Sequence, residues 1–301
     1  MHILLFYRTF AAKNTRQLIK DTTKMPKIEY ILSDDGHTLV EWCLKKTAEI
    51  DMPSRVELSG IEAIAPRAFA DCNKLTTLVL SEGLTTIGER AFERCKRLNS
   101  IVIPEGVVSI GDWAFADCNA LVEVHLPQGI THIGERMFSK CESLTNIVLP
   151  PKVQTIGDRA FGECISLEEV VLPEGVTSLG KWAFSYCSKL RKVSLPESLT
   201  TIADHAFLEC HSLTDIHLPD SLEMIGDTAF AFTSLTDLVI PEGVKAIGER
   251  AFAGVHLKQL TLLPPYPPTL GEAAFDLRKT IVNLPEEHRA LYKEKLNCDG
   301  H

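Results

Sequence analysis

The sequence contains no apolar run approaching the ~18 residues of a membrane-spanning helix. It also lacks an excess of basic charge, with 31 Lys and Arg against 40 Asp and Glu, a net of −9. Binding to nucleic acid without sequence preference needs cations clustered on one face, so neither nucleic acid nor membrane insertion is expected. With 18 Gly and 16 Pro, the chain is not collagenous or low-complexity. No secretory signal is legible. The apolar stretch Ile3-Leu4-Leu5-Phe6-Tyr7 is short, and it precedes the basic residues Arg8, Lys13, Arg16, Lys20 and Lys24 instead of following them. The C-terminus carries no prenylation box, retention signal or hydrophobic anchor. These absences favour a cytoplasmic location over a surface or secreted one. They leave residues 1–25 as an expected disordered basic extension, with Met25 as an alternative start.

What the chain does have is a repeat. Phe recurs at Phe69, Phe92, Phe115, Phe138, Phe161, Phe184, Phe207, Phe230, Phe252 and Phe275, spaced by 23 residues except for one step of 22. Ala precedes every Phe except at Met137. Ile or Leu stands five residues earlier, Cys three later from Cys72 to Cys210, and Leu six later from Leu75 to Leu213. The unit reads I-G-x-x-A-F-x-x-C-x-x-L-x-x-[LIV]-x-[LI]-P-E-G-[VL]-x-x.

Each part of the unit has a physical meaning. Val124 and Leu126 lie two apart, as on one face of a strand. Pro127 then lacks an N–H and ends it. Pro-Glu-Gly, as at Gly106, Gly175 and Gly243, suits a type I turn. Ile87, Ala91, Phe92 and Cys95 form a helix-like stripe of one or two short turns. One unit buries about five large apolar side chains at about 1.5–3 kcal/mol each. Ordering its backbone costs roughly 1–2 kcal/mol per residue. A unit therefore folds only by sharing its core and strand hydrogen bonds with neighbours. The expected fold is an α/β repeat, a right-handed solenoid of 23-residue rungs with a parallel β-sheet along one side.

The residues Ile110-Gly111 through Ala114-Phe115, then Cys118, Leu121, Val124 and Leu126-Pro127-Gln128-Gly129-Ile130, resemble the leucine-rich repeat of BspA-like proteins, the Treponema pallidum class. The resemblance covers about residues 30–295. It implies an N-terminal cap at 26–59 opening on a hairpin around Asp34-Asp35-Gly36, an array at 60–263, and a closing rung with a short helix at 264–301. Departures at Ser81, Ala203 and Leu235, and the missing Cys after Phe230 and Phe252, imply less regular final rungs. The resemblance also implies protein–protein interaction, with adhesion to host matrix proteins as the alternative role.

Other constellations have simpler readings. Seven of the nine Cys form a column with one thiol per rung. A zinc site needs about four ligands at one point, so these are expected to be reduced, buried and inert. Single His residues, among them His132, His205 and His211, read as solvated. A column running from Glu89 through Asp112 and Asp158 to Glu272 lies beside Arg90, Arg136, Arg159 and Arg250, which predicts cross-rung salt bridges. A second column, Glu82, Glu105, Glu174, Glu197, Asp220 and Glu242, has no such neighbours and suits a cation or a basic partner. No arrangement fits a nucleophilic triad, so neither catalysis nor a cofactor or metal is expected, and an enzyme with its site in a capping segment is the remaining alternative. Outward strand residues are the candidate partner-binding surface: Val79, Val102, His125, Val148 and Val171, with Glu123, Glu169, Lys192 and His217. Trp113 and Trp182 are either interaction anchors or packed on a neighbouring rung. Partner identity and oligomeric state are not specified by the sequence.

Overall fold

The computed structural model describes residues 28–296. The basic extension, Met25 and Cys298 lie outside these residues. The chain winds into a solenoid of about 11 turns with parallel sheets and little helix. Strand β1 (Tyr30–Leu32) pairs antiparallel with β2 (Thr38–Trp42), and Gly36 takes a positive φ of 79° in the connecting turn. Among the described residues the α-helices are α1 (Val56–Ser59) and α2 (Arg289–Leu296). Tyr292 of α2 is buried and donates its hydroxyl to the Pro264 carbonyl at 2.8 Å.

The repeated apolar positions line the interior. Phe69 through Phe252 are all fully buried, and the rings from Phe69 to Phe275 stack at centroid distances of 4.9–5.6 Å with interplanar angles of 3–13°. Trp42 and then Tyr30 extend this column into the N-terminal hairpin, each ring 5.8 Å from the next. Nothing in the 23-residue period marks either residue as a spine member. The early Leu235 does not break the array. Met224 and Ile225 still pair with Ala246 and Ile247, so the missing residue is absorbed in the turn after Phe230.

Two expectations need correction. First, there are two parallel ladders instead of one. Three-residue strands such as Ser100–Val102 and Glu123–His125 form one ladder, in fragments. Two-residue strands such as Thr86–Ile87 and Ser109–Ile110 form a second, and it runs almost the whole array. Second, the Ala-Phe-x-x-Cys stripe is a run of turns and not a helix. Its residues two before and two after each Phe from Phe69 to Phe252 are left-handed, as at Arg90 (φ 56°) and Arg94 (φ 61°). That conformation turns every second amide toward the next rung. Arg90, Phe92 and Arg94 donate to Asp112, Ala114 and Ala116 at 2.8–2.9 Å.

The Gly after each Ile has a steric purpose. A Cβ at Gly111 would meet the Glu89 amide nitrogen at 2.4 Å, so only Gly lets the rungs approach this closely. The Gly111 amide donates to the Ile87 carbonyl at 2.8 Å, and the other column glycines repeat this bond except Gly134. Ala203, the one Ala within the Gly run, does not make it either.

Gly134 marks a dislocation. The second ladder stops at Ser109–Ile110 and restarts at His132–Ile133 without pairing across, and Glu123–His125 pairs only with the rung before it. A Cβ on Gly134 would find backbone no nearer than 3.5 Å, against 2.3–2.8 Å along the rest of the column. The turn side stays closed, with Trp113, Phe115 and Asp117 donating to Glu135, Met137 and Ser139 at 2.8–2.9 Å. Met137 distinguishes this rung from the others. It is fully buried where every other rung has Ala, and its Cε lies 3.5 Å from the Cβ position of Gly134. A longer side chain in a close-packed interior forces its surroundings apart. Met137→Ala is expected to close the gap, and hydrogen exchange should then show the Gly134 amide protected like that of Gly111.

Candidate functional site

The strand face presents the outward residues named from the sequence. Val79, Val102, Val148 and Val171 are exposed at 47, 64, 73 and 66%. Alternation creates this row, because each outward residue flanks a buried one, as in Ser100-Ile101-Val102 with only Ile101 inside. Glu123, Glu169 and Lys192 stand in the neighbouring exposed row and are brought onto the same face. Lys192 lies directly across from Glu169 in the ladder. His125 Nε2 lies 3.0 Å from Glu123 Oε1. His217 is exposed and 3.9 Å from Glu197, four rungs away from His125. A cleft of about 430 Å³ opens where the ladder is interrupted, walled by Val122, Ile147 and Val148 with Glu105, Glu123 and Asn146 around it. The sequence offers one sign of this cleft, Met137 in place of Ala.

The acidic columns differ from each other. On the turn side, Glu89, Glu135 and Glu249 pair with the adjacent Arg90, Arg136 and Arg250 at 3.1–3.8 Å within a rung, while the expected pairing across rungs is met by Asp204 with Lys181. The Asp members of that column do something more. Asp112, Asp158, Asp204 and Asp227 each accept the backbone amide of the equivalent residue one rung on, at 2.7–3.1 Å. Such carboxylate–amide bonds are stronger than neutral ones. Lys181 bonds Asp204 at 2.8 Å, which holds that carboxyl below its ordinary range. On the strand side the column is mostly unpaired, Glu197 with His217 being the exception. Among the described residues Glu82, Glu105, Glu174, Asp220 and Glu242 form no ion pair.

Trp113 and Trp182 pack on their neighbours. Arg90 and Arg136, from the two adjoining rungs, lie over Trp113 at 4.5 and 4.1 Å from its ring centroid. Trp182 stacks on His205 at 3.9 Å and takes Arg159 at 5.1 Å. This ladder borders a smaller cavity of about 280 Å³ with Arg136, Arg159 and Lys140 in its walls. His205 departs from the expected solvated state. Its Nδ1 is buried without a partner, and burial lowers its pKa.

The Cys column is more than filler. Each thiol from Cys95 to Cys210 is buried and donates to a Phe carbonyl of the preceding rung, as Cys118 does to Phe92 at 3.2 Å. That carbonyl also accepts the Cys95 amide at 3.1 Å, so the thiol satisfies its second lone pair. Burial pushes Cys118 and Cys164 up to about 12. Among the described residues no group of three or more His, Cys, Asp or Glu could hold a metal ion. No helix among them is long and apolar enough to cross a membrane.

Stacked 23-residue rungs with a shared apolar spine and parallel strand ladders define a repeat solenoid of the leucine-rich type. The profile of the BspA type leucine rich repeat region, in 6 copies, matches residues 62–191 and 154–282. The chain belongs to this family. It is similar in structure to a leucine-rich repeat protein from Bacteroides ovatus, with 24% identity, 88% of this chain and 100% of that chain covered, and a TM-score of 0.47. The T. pallidum leucine rich repeat protein gives 21% identity, coverage of 92% and 97%, and a TM-score of 0.43. The pneumococcal vaccine antigen PcpA gives 17%, 85% and 91%, and 0.46. Among curated proteins, none matches the chain. Leucine-rich repeat proteins are generally non-catalytic binding scaffolds.

Proposed function

We propose that this chain is a non-catalytic protein–protein interaction scaffold and that the strand face is its binding surface. The observation that carries this reading is the row of exposed Val side chains, up to 73% accessible at Val148, on a sheet face bordered by polar residues. Contiguous apolar surface rimmed by polar groups is characteristic of interaction sites. The face comprises Val79, Val102, His125, Val148 and Val171, with Glu123, Glu169, Lys192 and His217 beside them. Residues 60–263 form the working array between a cap at 26–59 and a closing segment at 264–301.

Affinity capture from native extract tests this reading. The full chain should retain a partner that a Val102→Asp, Val171→Asp double variant loses by more than tenfold, because each Asp places a hydrated charge in the desolvated centre of the contact. Both changes sit on exposed side chains, so circular dichroism should show an unchanged fold. Equal capture by both proteins would refute the strand face as the binding surface.

A further inference from the structure

The charge of this molecule is unevenly distributed, and the unevenness describes the partner. On the turn side, carboxylates meet cations, with Glu89 on Arg90, Lys140 on Glu163, Lys181 on Asp204 and Arg250 on Glu249, all within 3.8 Å. On the strand side, Glu82, Glu105, Glu169, Glu174, Asp220 and Glu242 are exposed and, among the described residues, in no ion pair. The three-residue strands of the array add Lys192 as their one Lys or Arg. Carboxylates without an ion pair therefore border the exposed Val row, alongside Lys192 and the Arg191–Glu168 pair. The cleft left by the dislocation lies in the middle of this face, with aliphatic walls at Val122, Ile147 and Val148 and carboxylates at Glu105 and Glu123. Glu105 is held in place by the Gln128 amide at 2.9 Å, which leaves its second oxygen free to accept.

We propose that the strand face docks a basic, extended polypeptide segment of its partner, and that the cleft seats one lysine or arginine side chain of that segment. Such a side chain has an aliphatic stem for the Val and Ile walls and a cationic head for Glu105 and Glu123. The inference rests on the strand face being the binding surface. Charge complementarity of this kind sets partner choice and association rate more than area does.

The experiment titrates the full chain with fluorescent dodecapeptides of alternating Lys-Val, Ser-Val and Glu-Val sequence, read by anisotropy at two salt concentrations. Lys-Val should bind at least about tenfold tighter than Ser-Val at low salt and weaken as salt rises, and Glu-Val should not bind. A Glu105→Gln, Glu123→Gln variant should lose about tenfold for Lys-Val. A Glu135→Gln, Glu163→Gln variant, equal in net charge but altered on the turn side, should change by less than about twofold. Equal binding of Ser-Val and Lys-Val overturns the basic-partner inference while leaving the strand face as a binding surface. Equal loss in the two paired variants overturns the cleft, because diffuse charge then accounts for the binding. Failure of all three peptides also overturns it, and the Val102→Asp, Val171→Asp capture then decides separately whether the face binds anything.

Discussion

Phe138→Ala is expected to split the unfolding of this protein into two transitions. Removing a fully buried Phe costs about 3–5 kcal/mol at any rung. In a stacked array each rung contacts only its neighbours, so cooperativity depends on the interfaces between them. The interface between the Phe115 and Phe138 rungs already lacks pairing in both strand ladders. What remains there is the ring stack at 5.6 Å, the amide bonds of the turn side, and side-chain links from Asp112, Asn119, Cys141 and Arg136. Loss of the Phe138 ring removes the stack, and the residues on either side should then melt independently. Phe184→Ala is the control, because Ser178–Leu179 pairs on both sides and Glu169–Val171 pairs with Lys192–Ser194. It should lower stability by a similar amount within a single transition. Calorimetry distinguishes the outcomes, and a single peak for Phe138→Ala would show the dislocation to be mechanically irrelevant.

The second large effect is alkaline unfolding. Cys118 and Cys164 are raised by burial from the ordinary thiol value of 9.0 to about 12, and Cys95, Cys141, Cys187 and Cys210 are raised in the same direction. A thiol whose folded pKa exceeds its unfolded one stays protonated in the native state while the unfolded chain ionises. Its stabilisation is complete below pH 9 and is lost as pH rises toward 12. Each such group costs up to about 1.4 kcal/mol per pH unit in that window. Several buried thiols shifted the same way add their slopes, so the fall is steep. Urea unfolding followed from pH 8 to about 10.5 should show a steep fall above pH 9. A Cys118→Ser, Cys164→Ser variant keeps a donor to the Phe carbonyls but does not ionise, so its slope should be smaller by about two protons. An identical slope would mean that other groups drive the alkaline transition.

The parts of this fold that the sequence exposes are those that repeat in identity. Ile87, Phe92, Cys95 and Leu98 recur at fixed spacing, and each is fully or almost fully buried. The second ladder stayed hidden because Thr86-Ile87 is too short to show alternation. Its partners lie one rung away, and Ile, Ala, Phe and Cys at offsets of four, five and eight imitate a helix. The left-handed turns were hidden for another reason. Positive φ normally announces itself through Gly or Asn, yet Arg, Trp, Lys and Tyr occupy these positions here. Their conformation is held by three amide bonds to the next rung instead of by residue choice. The outward Val row was legible from the strand pattern, whereas the cleft in it lies at a break between two rungs that alternation along a single strand does not encode. Trp42 and Tyr30 were illegible as spine members because their place is set by the hairpin and not by the period.

The Asp carboxylates that reach the next amide, like the strand registers, span a constant 23 residues through most of the array. A stretch of that length could be duplicated or excised, and each bond would find the same kind of atom waiting. Gene copying or unequal exchange can therefore lengthen or shorten the molecule without redesigning its interior, and the reach of its outer surface becomes adjustable in whole steps. The freedom ends at the Tyr30–Trp42 hairpin and at Tyr292, whose contacts are unique and must be inherited once each.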